Sequence, residues 1–149
     1  MKVSIEKRLE FRGEEIFRRH TPFVARGIDF YRKFRDEGFE DVGDFDVLAY
    51  WPDHNLLVAV ECKYNQPAYT MKDGRRIREK IFGRKEDKGQ IGKMLRRSAF
   101  LNMHRPRMLE LLGWPKPAIA PERYVELYVS RDIYYWMVHP PYPVPTHFV

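Results

Sequence analysis

Eight residues, Leu56-Leu57-Val58-Ala59-Val60-Glu61-Cys62-Lys63, constrain this chain more than any other segment. Five consecutive apolar residues predict a strand buried on both faces, the central strand of a sheet. The run ends in two charges, Glu61 and Lys63, which are two residues apart and therefore point to the same side. Charges at the end of a buried strand are costly unless they are paired, solvated or bound to a metal. That pair is the first candidate for chemistry.

The preceding segment, Phe39 to Tyr50, predicts a second strand, strongest over Phe45-Asp46-Val47-Leu48-Ala49-Tyr50, with a turn at Trp51-Pro52-Asp53-His54-Asn55. Antiparallel pairing across so short a turn would bring Asp46 within reach of Glu61. Two carboxylates at that range repel, and a divalent cation relieves the repulsion. Oxygen ligands suit magnesium or manganese. In this reading Asp46 and Glu61 are metal ligands, with the Cys62 carbonyl as a further donor. Lys63 orients or deprotonates the attacking water, or neutralises the transition state; a partly desolvated lysine beside a metal can have a depressed pKa. Asp44 shares a strand face with Asp46 and competes for its role; its alternative reading is a turn residue after Gly43.

Elsewhere the pattern predicts a helix over residues 4–20, capped by Ser4 and stopped by Thr21-Pro22. A strand is expected over 27–34, around Ile28, Phe30 and Phe34. Within residues 65–85, Tyr69 to Ile77 reads as a hairpin centred on Asp73-Gly74 or as a mobile loop. An amphipathic helix is expected over 87–103, broken at Arg105-Pro106. Tyr124 to Val129 and Ile133 to Val138 read as a strand pair around Ser130-Arg131-Asp132. Residues 140–149 hold four prolines and read as an extended tail. The expected fold is α/β, of the mixed α+β kind: a central mixed sheet flanked by helices in a single domain, either a whole protein or part of a longer one.

Charge narrows the function. The chain carries 27 Lys+Arg against 21 Asp+Glu, but residues 72–107 alone hold thirteen basic residues and four acidic ones. A basic block beside an acidic remainder is the pattern of a phosphate-backbone binder. Arg75, Arg76, Arg84, Lys85, Lys88, Lys93, Arg96 and Arg97 are its candidate contacts; a solvated helix face is the plainer alternative. The single cysteine, Cys62, excludes a disulfide framework and a multi-thiolate zinc site, and reads as a small buried residue in a reducing compartment, hence a cytoplasmic protein. The five histidines have no metal-ligand spacing. Lys2, Glu6, Lys7 and Arg8 interrupt any N-terminal apolar run, so neither a secretory leader nor a membrane span is expected.

Gly43-Asp44-Phe45-Asp46-Val47-Leu48-Ala49 followed by Leu57-Val58-Ala59-Val60-Glu61-Cys62-Lys63 resembles the PD-(D/E)xK nuclease superfamily, which includes restriction endonucleases and archaeal Holliday-junction resolvases. The resemblance implies an α-β-β-β-α-β core and a catalytic set of Asp46, Glu61 and Lys63. It also implies a metal-ligating glutamate on the first helix, where Arg12-Gly13-Glu14-Glu15 offers Glu14 or Glu15, and an accessory glutamine on the helix after the lysine strand, where Gln90 stands. Phe45 departs from the family's proline, Met94 from a tyrosine of one subgroup, and residues 65–88 look like an insertion. The function implied is a magnesium- or manganese-dependent DNA endonuclease, structure-selective for branched or junction DNA, with a homodimer as a simple way to cut two strands. Alternatives are a catalytically silent nuclease-fold module that binds nucleic acid or protein, and an RNA-directed nuclease.

Overall fold

The computed structural model describes residues 2–149, with side chains from Ile5 onward. A five-stranded mixed sheet lies between a helix on one face and two helices on the other, as the expected fold class requires. Helix α1 (Lys2–Arg18) leads to β1 (Phe23–Ile28), a single helical turn α2 (Phe30–Lys33), β2 (Phe45–Trp51) and β3 (Leu56–Lys63). Then come α3 (Met71–Phe82), α4 (Gly89–Leu111), β4 (Arg123–Ser130), the short α5 (Tyr135–Val138) and β5 (Thr146–Phe148). The strands lie in chain order, β1-β2-β3-β4-β5. The first three are antiparallel neighbours, while β4 runs parallel to β3 and β5 parallel to β4. The parallel step needs a crossover, which α3 and α4 supply.

Strand alternation divides the core. Leu48, Tyr50, Leu57 and Ala59 face α4 and meet Phe100, Leu101, Met108 and Leu109, joined by Phe30, Phe39 and Phe45. Val47, Ala49, Val58, Val60 and Cys62 face the other way, against Leu9 and Phe17 of α1. A third cluster joins Ile77, Ile81 and Phe82 of α3 to Ile91 and Met94 of α4, with Tyr128 and Met137. Strand β3 is thus buried on both faces, as its apolar run demands.

Five expectations are corrected. The strand expected at 27–34 is the end of β1 followed by α2. Asp29 caps that turn, its Oδ1 accepting from the Arg32 amide at 3.0 Å, and Phe30 and Phe34 stack one turn apart with centroids 5.9 Å apart. Residues 64–69 are irregular chain, while the stretch 69–77, expected as a hairpin or loop, enters α3 at Met71. Thr70 caps it by accepting from the Asp73 amide at 3.1 Å, so Asp73-Gly74 lies in a first helical turn. Helix α4 runs through Pro106 to Leu111. The proline is exposed, while Arg105, Met108 and Leu109 continue the buried stripe that holds the helix together across it.

The strand expected at 133–138 is the turn α5, whose Met137 is buried. The last strand is β5, inside the segment expected to be a tail, just beyond Pro145 and paired to β4 through Glu126 and Thr146. Helix α1 starts at Lys2, ahead of the expected cap Ser4, whose side chain lies outside the described residues.

Arg105 closes the end of the sheet where β3 and β4 begin. Its buried guanidinium donates to the Asn55 carbonyl at 2.6 Å, the Asn55 side chain at 2.9 Å and the Arg123 carbonyl at 3.0 Å. It ties the β2–β3 turn to the start of β4. The opposite end of the sheet, where β3 finishes, holds the charges. Among the described residues no helix is long and apolar enough to cross a membrane.

Candidate active site

Strand register places the acids. Val47 pairs with Val60 across the β2–β3 ladder, and one further step sets Asp46 opposite Glu61. On the other side of β3, Glu61 is in register with Tyr128 of β4. The Asp46 carboxylate accepts from the Cys62 amide at 2.6 Å, which turns its Oδ2 toward β3. Lys63 Nζ lies 2.7 Å from Glu61 Oε1 and 3.8 Å from Asp46 Oδ2. Asp46, Glu61 and Lys63 therefore form one cluster at this end of the sheet, with both carboxylates only 6% exposed.

Burial decides the electrostatics. It pushes the Asp46 carboxyl up to about 7, and the facing charge of Glu61 adds to the effect against the opposing pull of Lys63. For Lys63 the two influences oppose. Burial pulls its pKa down, but Glu61 and Asp46 pull it further up, so the net shift is upward. Beside two carboxylates Lys63 is held in its charged form and acts as a hydrogen-bond donor. Cys62 is buried on the opposite face, its thiol pushed up by burial and the surrounding acids, as befits an inert residue.

Arg97 is the main correction to the basic block. Expected as a surface contact, it is buried on α4. It donates to Glu61 Oε2 and, at 2.8 Å, to the Asp44 carbonyl, with its guanidinium 6.0 Å from the Phe45 ring centroid. Each oxygen of Glu61 therefore has its own cation. The other basic candidates, Arg75, Arg76, Arg84, Lys85, Lys88, Lys93 and Arg96, are exposed, though Arg96 pairs with Glu40 at 2.8 Å. Asp44 is exposed at the strand entrance, and Asp46 is the one that faces Glu61.

The first-helix acid is also corrected. Glu14 is held by Arg18 at 2.9 Å and Arg26 at 2.6 Å, away from the cluster. Glu15 pairs with Arg12 at 3.2 Å on the surface. The acid that α1 turns toward the cluster is Glu10. Its pKa is raised by burial and by Asp44 while Lys63 lowers it, and its charge in turn raises that of Asp46. One turn earlier, Glu6 accepts from the Tyr64 amide at 3.1 Å and anchors α1 to the end of β3. The spacing Glu6-Glu10-Glu14, each four apart, was the available signal: it puts three acids on one helix face.

One further acid had no sequence signal. Glu126 is buried beside Arg97, its carboxyl pushed up to about 7 by burial and accepting from Thr146 at 3.3 Å and Tyr124 at 3.4 Å. Gln90 is engaged in a relay instead: the Tyr128 hydroxyl donates to its Oε1 at 2.5 Å, and Asn65 Nδ2 donates to that hydroxyl at 2.9 Å.

Among the described residues no group of three or more His, Cys, Asp and Glu side chains is arranged to hold a metal ion. The donor set at Asp46 and Glu61 nevertheless fits magnesium, which takes one or two carboxylates and completes its shell with waters and substrate phosphates. A hollow of about 720 Å³ beside Arg105 and Trp114 contains neither carboxylate nor Lys63. No protein-family model, curated protein or solved structure matches the chain.

Proposed function

We propose that the chain is a metal-dependent DNA endonuclease of the PD-(D/E)xK type, hydrolysing phosphodiester bonds at Asp46, Glu61 and Lys63. The observation that carries this reading is the convergence of two desolvated carboxylates and one lysine at the end of a central strand, with Lys63 Nζ 2.7 Å from one and 3.8 Å from the other. The element order of α1, three antiparallel strands, helices and a parallel β4 supports it, being the α-β-β-β-α-β sequence of that superfamily.

Asp46 and Glu61 would hold the metal, and Glu10 rather than Glu14 is the helix acid nearest to joining them. A bound magnesium or manganese ion would supply Lewis-acid activation of water and stabilise charge on the phosphate. Lys63, charged and fixed by Glu61, donates a hydrogen bond toward the attacking water or a non-bridging phosphate oxygen. The Cys62 amide holds Asp46 in place, and Arg97 does the same for Glu61, so neither carboxylate has to be ordered when substrate arrives. The exposed cations of α3 and of the first half of α4 steer the polyanion to this face.

A cleavage assay on linear, single-stranded, flapped and four-way-junction DNA with manganese tests the reading. Wild type is expected to cut at least one substrate, and Asp46→Asn and Lys63→Ala to lose about 2–4 kcal/mol of transition-state stabilisation, roughly 30- to 1,000-fold in rate. Equal cutting by wild type and both variants would refute the assignment.

A further inference from the structure

The hydrogen-bonded relay that contains Gln90 starts beside the candidate cluster, at the register partner of Glu61. It links Gln90 Oε1 to the Tyr128 hydroxyl, that hydroxyl to Asn65 Nδ2, and Asn65 Oδ1 to Lys80 Nζ at 3.3 Å. Tyr128 is fully buried and Asn65 is 3% exposed. The Tyr128 proton goes to Gln90, so the tyrosine oxygen can accept only from the Asn65 amide nitrogen, which turns Asn65 Oδ1 toward the lysine. A buried network with this fixed polarity holds a lysine on α3 at a set place.

That place borders a cleft of about 230 Å³ lined by Asn65, Gln66, Arg76, Ile77 and Lys80. Among the described residues two cations and two carboxamides line it, with Ile77 as the apolar member and no acid. Arg76 stands one turn from Lys80; its one ion pair, to Asp73, spans 3.5 Å, and its side chain is 69% exposed. The cleft adjoins the candidate site. Asn65 is two residues beyond Lys63, a span of at most about 7 Å of extended chain. That distance is on the order of two base steps of B-form rise, about 3.4 Å each. Tyr128, which anchors the relay, is also the register partner of Glu61.

We propose that this cleft is a second phosphate subsite, which grips a phosphodiester of the same strand that presents its scissile phosphate to Lys63. The inference rests on the nuclease reading and adds to it how the strand is held. Arg76 supplies a fork of donors to phosphate oxygens, Lys80 supplies a preorganised point charge, and Asn65 and Gln66 offer neutral amide groups. Such a contact positions the backbone and carries no base specificity.

The test is binding, read separately from cutting. Anisotropy of short fluorescein-labelled duplex and single-stranded DNA is measured in calcium, which replaces the catalytic ion, across about 50 to 200 mM salt. The Arg76→Ala/Lys80→Met protein is compared with wild type and with Lys116→Ala, an exposed cation outside the cleft. The double variant is expected to bind about 10-fold more weakly at low salt and to lose about 1 from the slope of log affinity against log salt, while Lys116→Ala matches wild type. Both altered side chains are exposed, and an unchanged melting temperature confirms that the fold is intact. Equal slopes in the double variant and wild type overturn the subsite, as does wild type that binds neither DNA. Loss of inorganic phosphate binding with unchanged DNA binding also overturns it, since the cleft would then serve a free anion. If DNA is bound through the cleft but never cut by wild type in manganese, the subsite stands and the catalytic reading fails.

Discussion

Replacing Arg97 by methionine should expose how the cluster is balanced. The change keeps most of the aliphatic volume against Phe45 and removes the guanidinium that serves Glu61 Oε2 and the Asp44 carbonyl. Removing one partner of a buried ion pair costs about 3–5 kcal/mol, because the other charge stays buried. Lys63 remains 2.7 Å from the other oxygen of Glu61, so the low end, about 3 kcal/mol, applies. For a chain of this size that lowers the melting temperature by roughly 10 °C. Adding Glu61→Gln to Arg97→Met removes the orphaned charge and should recover about 2 kcal/mol, a coupling that a double-mutant cycle measures.

Thermal melts of the four proteins, with and without manganese, are the assay. Manganese at ten times its dissociation constant stabilises by about 1.4 kcal/mol, and the shift should be larger in Arg97→Met than in wild type, since one Glu61 oxygen is then open to the ion. A fall of less than about 3 °C, or no recovery on adding Glu61→Gln, would refute the claim that Arg97 neutralises a buried carboxylate.

Glu126 predicts a pH dependence. Its folded pKa, about 7, lies above the ordinary 4.5 of an exposed glutamate, so the native state keeps a proton that the unfolded chain releases, and stability falls as pH rises through that window. The fall amounts to about 3 kcal/mol from Glu126, and urea melts at acid and mildly alkaline pH should show Glu126→Gln flattening it. Asp46 shifts in the same direction and retains its share. Gly83→Ala should disrupt the α3–α4 junction, because Gly83 has φ +85° and a Cβ there would lie 1.6 Å from the Asp87 carbonyl oxygen; circular dichroism and expression yield report the loss. Pro106→Ala should stabilise by about 2 kcal/mol in denaturant melts, since an exposed mid-helix proline forfeits a backbone hydrogen bond.

What the sequence determined alone was local. The apolar run from Leu56 to Val60 could only be a doubly buried strand, and side-chain alternation put Glu61 and Lys63 on one face whatever the rest of the chain did. Short-range chemistry misled where two periods competed. Phe30 and Phe34 fit a strand's alternation or a helix's four-residue step, and Asp73-Gly74 fits a hairpin turn or a capped first turn; neighbouring packing chose the helix both times.

Tertiary structure decided everything that depends on distance along the chain. Register set Asp46, and not Asp44, opposite Glu61. The docking of α1 set Glu10 at the level of the cluster and left Glu14, one turn further along the same helix face, to Arg18 and Arg26. The docking of α4 drew Arg97 out of the basic surface to neutralise a buried acid. A strand's parity is a property of its own backbone, whereas register and helix docking are set by which apolar faces meet. The pair at the end of β3 was therefore legible in eight residues, and its partners were not.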